Sequence, residues 1–317
     1  MNEFTYILVN KEIKLDHHYI IHKFQLPNDY EGKVEVTLLE KSVPNSKKAV
    51  LYIHGFIDYY FQHHVADWFN EKGYSFYALD LRKYGRSLMK HQTPNFCKNL
   101  IEYDNEINLA IEKTKEKHNH LTLLGHSNGG LISTFYTHRF PEKIDALILN
   151  APFFEFNANW FSRNITIPIV RIVAKLFPRL KLPLRLSSNN AISLHQNEKG
   201  EWNYNTDFKP LKGFNIYAGW MGTVFKHQKF IQKGINLTPP TLVLASNKHS
   251  YSTSWIEEAH FSDAVLNTDR IIKFAKNIGK NTQIELIKNA KHDVFLSCKK
   301  ERENAFKVLE EWLKVNT

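Results

Sequence analysis

Residues 121–133 read LTLLGHSNGGLIS, and the fold turns on how the centre of that stretch is built. Residues 121–124 form a short run of strand type, and GLISTFYTHRFP (130–141) continues as a helix that Pro141 closes. Between them Ser127 stands two residues from a glycine on either side, Gly125 and Gly129. The Gly-x-Ser-x-Gly pattern arises by chance in about one chain of this length in ten, so its place between strand and helix carries the meaning. A serine on a sharp strand-to-helix turn is thrust out of the sheet, and glycines flank it because backbone passes too close for a Cβ. The helix N-terminus then faces the hydroxyl and favours negative charge developing there. Ser127 is read as a nucleophile rather than an ordinary helix N-cap.

Outward from this turn the chain alternates strand and helix. KVEVTLLE (33–40), KKAVLYIHG (47–55), YSFYALDL (74–81), LTLLG (121–125) and DALILNAP (145–152) read as strands; HHVADWFNEKG (63–73) and YDNEINLAIEKTKEKHN (103–119) read as helices. Continuous apolar runs fit strands covered on both faces, and the alternation implies a mostly parallel sheet in an α/β fold. The pattern resumes at TPPTLVLAS (238–246), with a helix around TDRIIKFAKNIG (268–279), the strand TQIELIKNA (282–290) and a final helix, KKERENAFKVLEEWLKV (299–315). Residues 153–234 break the rhythm, being rich in aromatics, prolines and basic residues with no βα period. We expect a core of residues 1–152 and 235–317, with 153–234 inserted as a cap or lid over one edge of the sheet.

With 317 residues, 43% of them hydrophobic, the chain can bury a large core. Its first twenty residues carry charges every few positions and lack the apolar region and cleavage site of a secretory signal, so an uncleaved, cytoplasmic chain is expected. The most lipophilic stretch, ITIPIVRIVAKLF (165–177), is broken by Pro168, Arg171 and Lys175, short of the ~18 residues that span a bilayer. Cys97 and Cys298 are too few for a disulfide scaffold and are expected as reduced thiols. The net charge of +10 is concentrated: residues 151–238 hold twelve lysines and arginines against four acids. No RNA- or DNA-binding module accompanies that basic segment, so nucleic acid is not expected as a partner.

Three pieces in chain order, LYIHGF (51–56), DLRKYGRS (80–87) and GHSNGG (125–130), together resemble the α/β-hydrolase family of serine esterases, lipases and lysophospholipases. The resemblance spans both halves of the core but not the insertion, and Lys83 stands where the family commonly has glycine. It implies the α/β-hydrolase fold, with helices on both faces of the sheet, and an oxyanion hole formed by the backbone N–H groups of Phe56 and Asn128. His54 and His126 then take supporting hydrogen bonds. Among sixteen histidines, His292 in NAKHDVFLS (289–297) follows a strand and precedes the final helix, which matches the family's order of serine, acid, histidine and makes it the general base. Its neighbour Asp293 is read as a hydrogen-bonding loop residue.

The orienting acid is less direct. The residues just past TLVLAS, namely NKHS, offer no carboxylate, and the alternative place after DALILN begins at Asn150, with none before Glu155. Glu257, Glu258, Asp263 and Asp269 are the candidates. SDAVLNTDRI (262–271) resembles the stretch that often carries the family's acid, with Asp263 in the first acidic position. Asp269 stands second, because it lies near the N-cap of the following helix, and the two glutamates read as a solvated face.

In the insertion, Val170, Val173 and Phe177, and likewise Ile169, Ile172 and Leu176, recur at helical spacing, with Arg171, Lys175 and Arg179 on another face. Such an element can lie on an anionic membrane surface, cover an acyl pocket, or simply pack on the core. Phe214, Tyr217, Trp220, Met221 and Phe225 are candidates for an apolar tunnel above Ser127, or for the core of the cap itself. The expected activity is hydrolysis of carboxylic esters, of the lysophospholipid or monoacylglycerol type, with no metal or organic cofactor implied. A peptidase, a carbon–carbon bond hydrolase or a catalytically idle lipid-binding relative are the competing readings.

Overall fold

The computed structural model describes residues 7–8, 19–184 and 186–317; most of the amino-terminal stretch read above as uncleaved, and Arg185 of the basic segment, lie outside them. The strands are β1 (Ile7–Leu8), β2 (Ile20–Asp29), β3 (Gly32–Lys41), β4 (Lys48–Ile53), β5 (Tyr74–Asp80), β6 (His120–His126), β7 (Ala146–Asn150), β8 (Thr241–Ser246) and β9 (Thr282–Ile287). They form one sheet in the order β1-β2-β3-β5-β4-β6-β7-β8-β9. From β5 to β9 every neighbouring pair is parallel, while β1, β2 and β3 add to the β5 side antiparallel.

The helices are α1 (His63–Glu71), α2 (Asp104–Lys115), α3 (Asn128–Arg139), α4 (Ile167–Leu176), α5 (Asn189–Leu194), α6 (Ala218–Gln232), α7 (Thr268–Ala275) and α8 (Lys299–Asn316). On one face of the sheet, Phe69 of α1 and Leu309 and Trp312 of α8 pack with Tyr52, Phe76, Leu124 and Ile148. On the other, Ile107 of α2, Leu131 of α3 and Ile271 of α7 pack with Leu51, Leu123, Leu149 and Val243. This double cover is why β6, β7 and β8 read as unbroken apolar runs.

Strand β2 was not expected from its sequence, IIHKFQLPND. Half its residues are polar and Pro27 cannot donate to a ladder. The register with β3 shifts between Leu26 and Asp29, and that irregularity accommodates the proline.

Helices α4, α5 and α6 lie between β7 and β8, within the stretch expected to be inserted. One π-helical turn, Ser162–Thr166, leads into α4. Ile167, Val170 and Ala174 face the core, whereas Ile169, Ile172 and Leu176 point outward and are exposed. Phe177 does not extend the inner stripe: it lies just past the helix end and is exposed. Arg179, also beyond the helix, pairs with Glu31 of the β2–β3 hairpin. Cys97 and Cys298 are not joined, and among the described residues no helix is long and apolar enough to cross a membrane.

Candidate active site

Ser127 joins β6 to α3 with φ 53° and ψ −116°. Positive φ is unfavourable for any residue with a Cβ, and three backbone bonds hold it. Ser127 N–H donates to Asn150 O (2.9 Å), while Ser127 O accepts from the N–H groups of Phe153 (3.0 Å) and Leu131 (3.2 Å). The glycines are required by close approach: a Cβ on Gly129 would lie 2.3 Å from Ile53 O, and one on Gly125 would lie 2.6 Å from Gly129 O. These obstacles are backbone and cannot swing aside. Gly129→Ala is therefore expected to cost about 3 kcal/mol and to lower the melting temperature followed by circular dichroism; an unchanged melt contradicts the close approach.

His292 follows β9 and precedes a short turn, Val294–Leu296, that leads toward α8. Its Nε2 is 2.9 Å from Ser127 Oγ and its Nδ1 is 2.8 Å from Asp263 Oδ2. Because a carboxylate can only accept, Nδ1 carries the proton and the Nε2 lone pair faces the serine hydroxyl. The other oxygen of Asp263, Oδ1, accepts the N–H groups of Val265 and Leu266, both at 2.8 Å, so the carboxylate cannot rotate freely. Asp263 and His292 are buried, and Ser127 is 9% exposed.

The path to Asp263 explains why no acid follows β8 directly. Past Ser246 the chain leaves the sheet, makes a 3-10 turn at Glu257–His260, and returns so that residue 263 bridges residue 249 in parallel. Asp263 N–H donates to Lys248 O (3.0 Å) and Ser250 N–H donates to Asp263 O (2.9 Å). The carboxylate thus reaches the end of β8 by a detour. Asp269 is exposed in the first turn of α7, whose N-cap is Asn267, and Glu257 and Glu258 are exposed on the 3-10 turn. Of the four candidates, only Asp263 meets His292.

Asp293 turns away from the imidazole beside it. Its Oδ1 accepts from Asn150 Nδ2 (2.6 Å) and Phe295 N–H (3.0 Å), and its Oδ2 from Gln62 Nε2 (3.1 Å). Gln62 and Asn150 are supports that sequence reasoning missed. The available signal was Asn150 itself, an amide where a carboxylate was sought at the end of β7.

The N–H groups of Phe56 and Asn128 have no acceptor among the described residues. His54 Nδ1–H donates to Gly55 O (2.8 Å) and its Nε2 accepts Leu81 N–H (3.0 Å), which settles its tautomer. His126 Nδ1 lies 3.2 Å from Asn150 O, and its ring packs 4.9 Å from that of His292. Burial pushes both His54 and His126 below the usual histidine value, toward the neutral form.

In the 80–87 loop, Asp80 binds Arg86 Nη1 (2.8 Å) and the N–H of Tyr60 (3.1 Å). Lys83 has φ 67°, a conformation suited to the glycine common in the family; here its buried ammonium pairs with Asp29 and Glu31, each at 2.8 Å. Of the four insertion aromatics and Met221, Trp220 stacks on Phe56 with ring centroids 3.6 Å apart. Tyr217 meets Phe96 edge-on, and Met221 and Phe225 are buried in the main core.

Over residues 44–298 the chain matches the family described as serine aminopeptidase, S33. A monoacylglycerol lipase from Mycolicibacterium smegmatis is 30% identical over 132 residues, 41% of this chain and 45% of that relative, so the match spans less than half of the relative's length. A soluble variant of monoglyceride lipase from Saccharomyces cerevisiae, in complex with a substrate analog, has a TM-score of 0.68 at 18% identity, covering 92% of this chain and 94% of that one. The monoacylglycerol lipase of Paleococcus ferrophilus has a TM-score of 0.69 at 18% identity, covering 89% and 99%. At such identities the two structures speak for a shared fold. The chain belongs to the serine aminopeptidase S33 family of α/β-hydrolase serine hydrolases.

Proposed function

We propose that the chain hydrolyses carboxylic esters of monoacyl lipids, a lysophospholipid or a monoacylglycerol, through an acyl-enzyme on Ser127. The observation that carries this reading is the relay from Ser127 Oγ to His292 Nε2 at 2.9 Å and from His292 Nδ1 to Asp263 at 2.8 Å. His292 takes the serine proton as Oγ attacks the acyl carbonyl, then returns it to the departing alcohol oxygen. Asp263 holds the imidazole tautomer and stabilises the imidazolium. The free amides of Phe56 and Asn128 receive the tetrahedral oxygen, each contributing roughly 3 kcal/mol. Water, activated by the same imidazole, then releases the fatty acid. No cofactor enters this sequence, and two unjoined cysteines fit a cytoplasmic setting.

Residues 153–234 act in this reading as a cap whose rings, Trp220 with Phe153 and Phe156, give an apolar wall beside Phe56. The monoacylglycerol and monoglyceride lipases named above support a monoacyl substrate. An aminopeptidase must instead hold a protonated amine, which calls for a free carboxylate near the nucleophile. Asp58, Asp263 and Asp293, buried around the site, are each engaged by partners within the chain.

The test is a rate series over monoacylglycerols and lysophosphatidylcholine of increasing acyl length, beside aminoacyl anilides. Monoacyl esters are expected to be cleaved at least about 100-fold faster, an effect of about 2.7 kcal/mol; faster anilide cleavage overturns the reading.

The cap also offers a surface to the substrate's source. Ile169, Ile172 and Leu176 are 54%, 65% and 78% exposed on the outward side of α4, with Arg171 and Lys175 exposed on the same helix. Apolar side chains bordered by cations suit an anionic bilayer surface. Sedimentation with phosphatidylglycerol vesicles is expected to exceed that with phosphatidylcholine and to fall about tenfold in Ile172→Asp/Leu176→Asp; equal binding by the variant contradicts this contact.

A further inference from the structure

The turn that presents Phe56 N–H is curled tightly on itself. His54 holds Gly55 O, Asp58 Oδ2 stands 3.4 Å from Gly55 N, and between them Ile57 has φ 51°. A β-branched residue in the left-handed region persists only where its surroundings over-determine it. Those surroundings come largely from the cap. Lys209 Nζ lies 2.6 Å from Asp58 Oδ1, Asn205 N–H donates to Tyr59 Oη (2.7 Å), and Trp220 stacks on Phe56. Lys209 is 8% exposed and Asp58 is 2% exposed, and the ammonium sits over the rings of Phe61 and Tyr204.

We propose that Lys209 is a positioning residue for the oxyanion turn: it reaches from the cap into the core, neutralises Asp58, and through Asp58 holds Gly55 N–H, on the peptide just before the one that carries Phe56 N–H. This inference rests on the reading of Phe56 N–H as an oxyanion donor. Burial works against the charge on Asp58, but the Lys209 ammonium holds its carboxyl below the usual range, so the group is an anion that needs its cation. A Cβ placed on Gly55 would lie 3.2 Å from Ser127 Cβ and 3.5 Å from Asp58 Oδ2, so the nucleophile and the carboxylate both border Gly55. Without Lys209, an uncompensated buried anion would face the place where the substrate oxygen acquires negative charge. That opposes the transition state directly, besides loosening the turn. Substrate binding, which precedes that charge, is affected far less.

The experiment uses p-nitrophenyl acetate, whose acyl group is too short to depend on the cap's apolar wall, with active sites counted by a fluorophosphonate label. Lys209→Met is expected to lower kcat per labelled site by about 10- to 100-fold with KM within about twofold. Lys209→Arg keeps most of the rate. Lys209→Met/Asp58→Asn, which removes the stranded charge yet leaves an amide oxygen for Gly55 N–H, is expected to recover at least about tenfold over Lys209→Met. It also guards against a single variant that fails to fold. Unchanged kcat per labelled site in Lys209→Met, with only its melting temperature lowered, makes the pair structural and overturns the inference. So does a double variant no faster than Lys209→Met. If the wild-type chain neither labels nor hydrolyses esters, the underlying reading falls and takes this inference with it; a wild-type chain that does both isolates Lys209 as the point of failure.

Discussion

Ser127→Ala is expected to lower kcat for ester hydrolysis by roughly 10⁴- to 10⁶-fold while leaving the chain folded. The variant removes a single oxygen whose hydrogen bond in the structure is to His292 Nε2, so little packing is lost. Its backbone remains at φ 53°, held by Asn150, Phe153 and Leu131, and alanine meets the same strain there as serine. The amides of Phe56 and Asn128 are untouched, so a residual rate above the uncatalysed one should persist, as it does when serine nucleophiles are removed elsewhere. A variant retaining a tenth of the wild-type rate points to another nucleophile.

Asp263→Asn is expected to cost about 10⁴-fold in kcat, and Asp269→Asn less than twofold. In Asp263→Asn the side-chain oxygen can still accept from Val265 and Leu266, so the loop stays in place. The amide nitrogen then faces His292 Nδ1 and donates to it. That reverses the tautomer, leaves the proton on Nε2, and deprives Ser127 of its acceptor. Asp269 lies exposed in the first turn of α7, where its loss affects only that helix end. Reversed effects of the two substitutions would move the orienting role to Asp269.

These contrasts mark how far the sequence is legible. The strand–turn–helix around Ser127 can be read locally, because glycines flanking a serine leave a signature of close backbone approach. The parallel core is legible for a similar reason: strands covered on both faces must be apolar throughout. The acid is harder to read, since Asp263 reaches its place through a loop that leaves β8 and returns, and only the returned chain shows which of four carboxylates meets the imidazole. Strand β2 hides behind polar residues and a proline at an irregular register. Helix α4 is apolar on two sides, one packed and one exposed, and spacing alone cannot say which side is covered. The pairing of Asp58 with Lys209 joins residues 151 apart in sequence, so neither position announces the other.

The most direct test is peptide mapping of the chain after reaction with a fluorophosphonate. The account predicts one adduct, on the peptide containing Ser127, lost in Ser127→Ala and formed far more slowly in His292→Ala. A chain that hydrolyses esters while carrying its adduct on any other residue contradicts it.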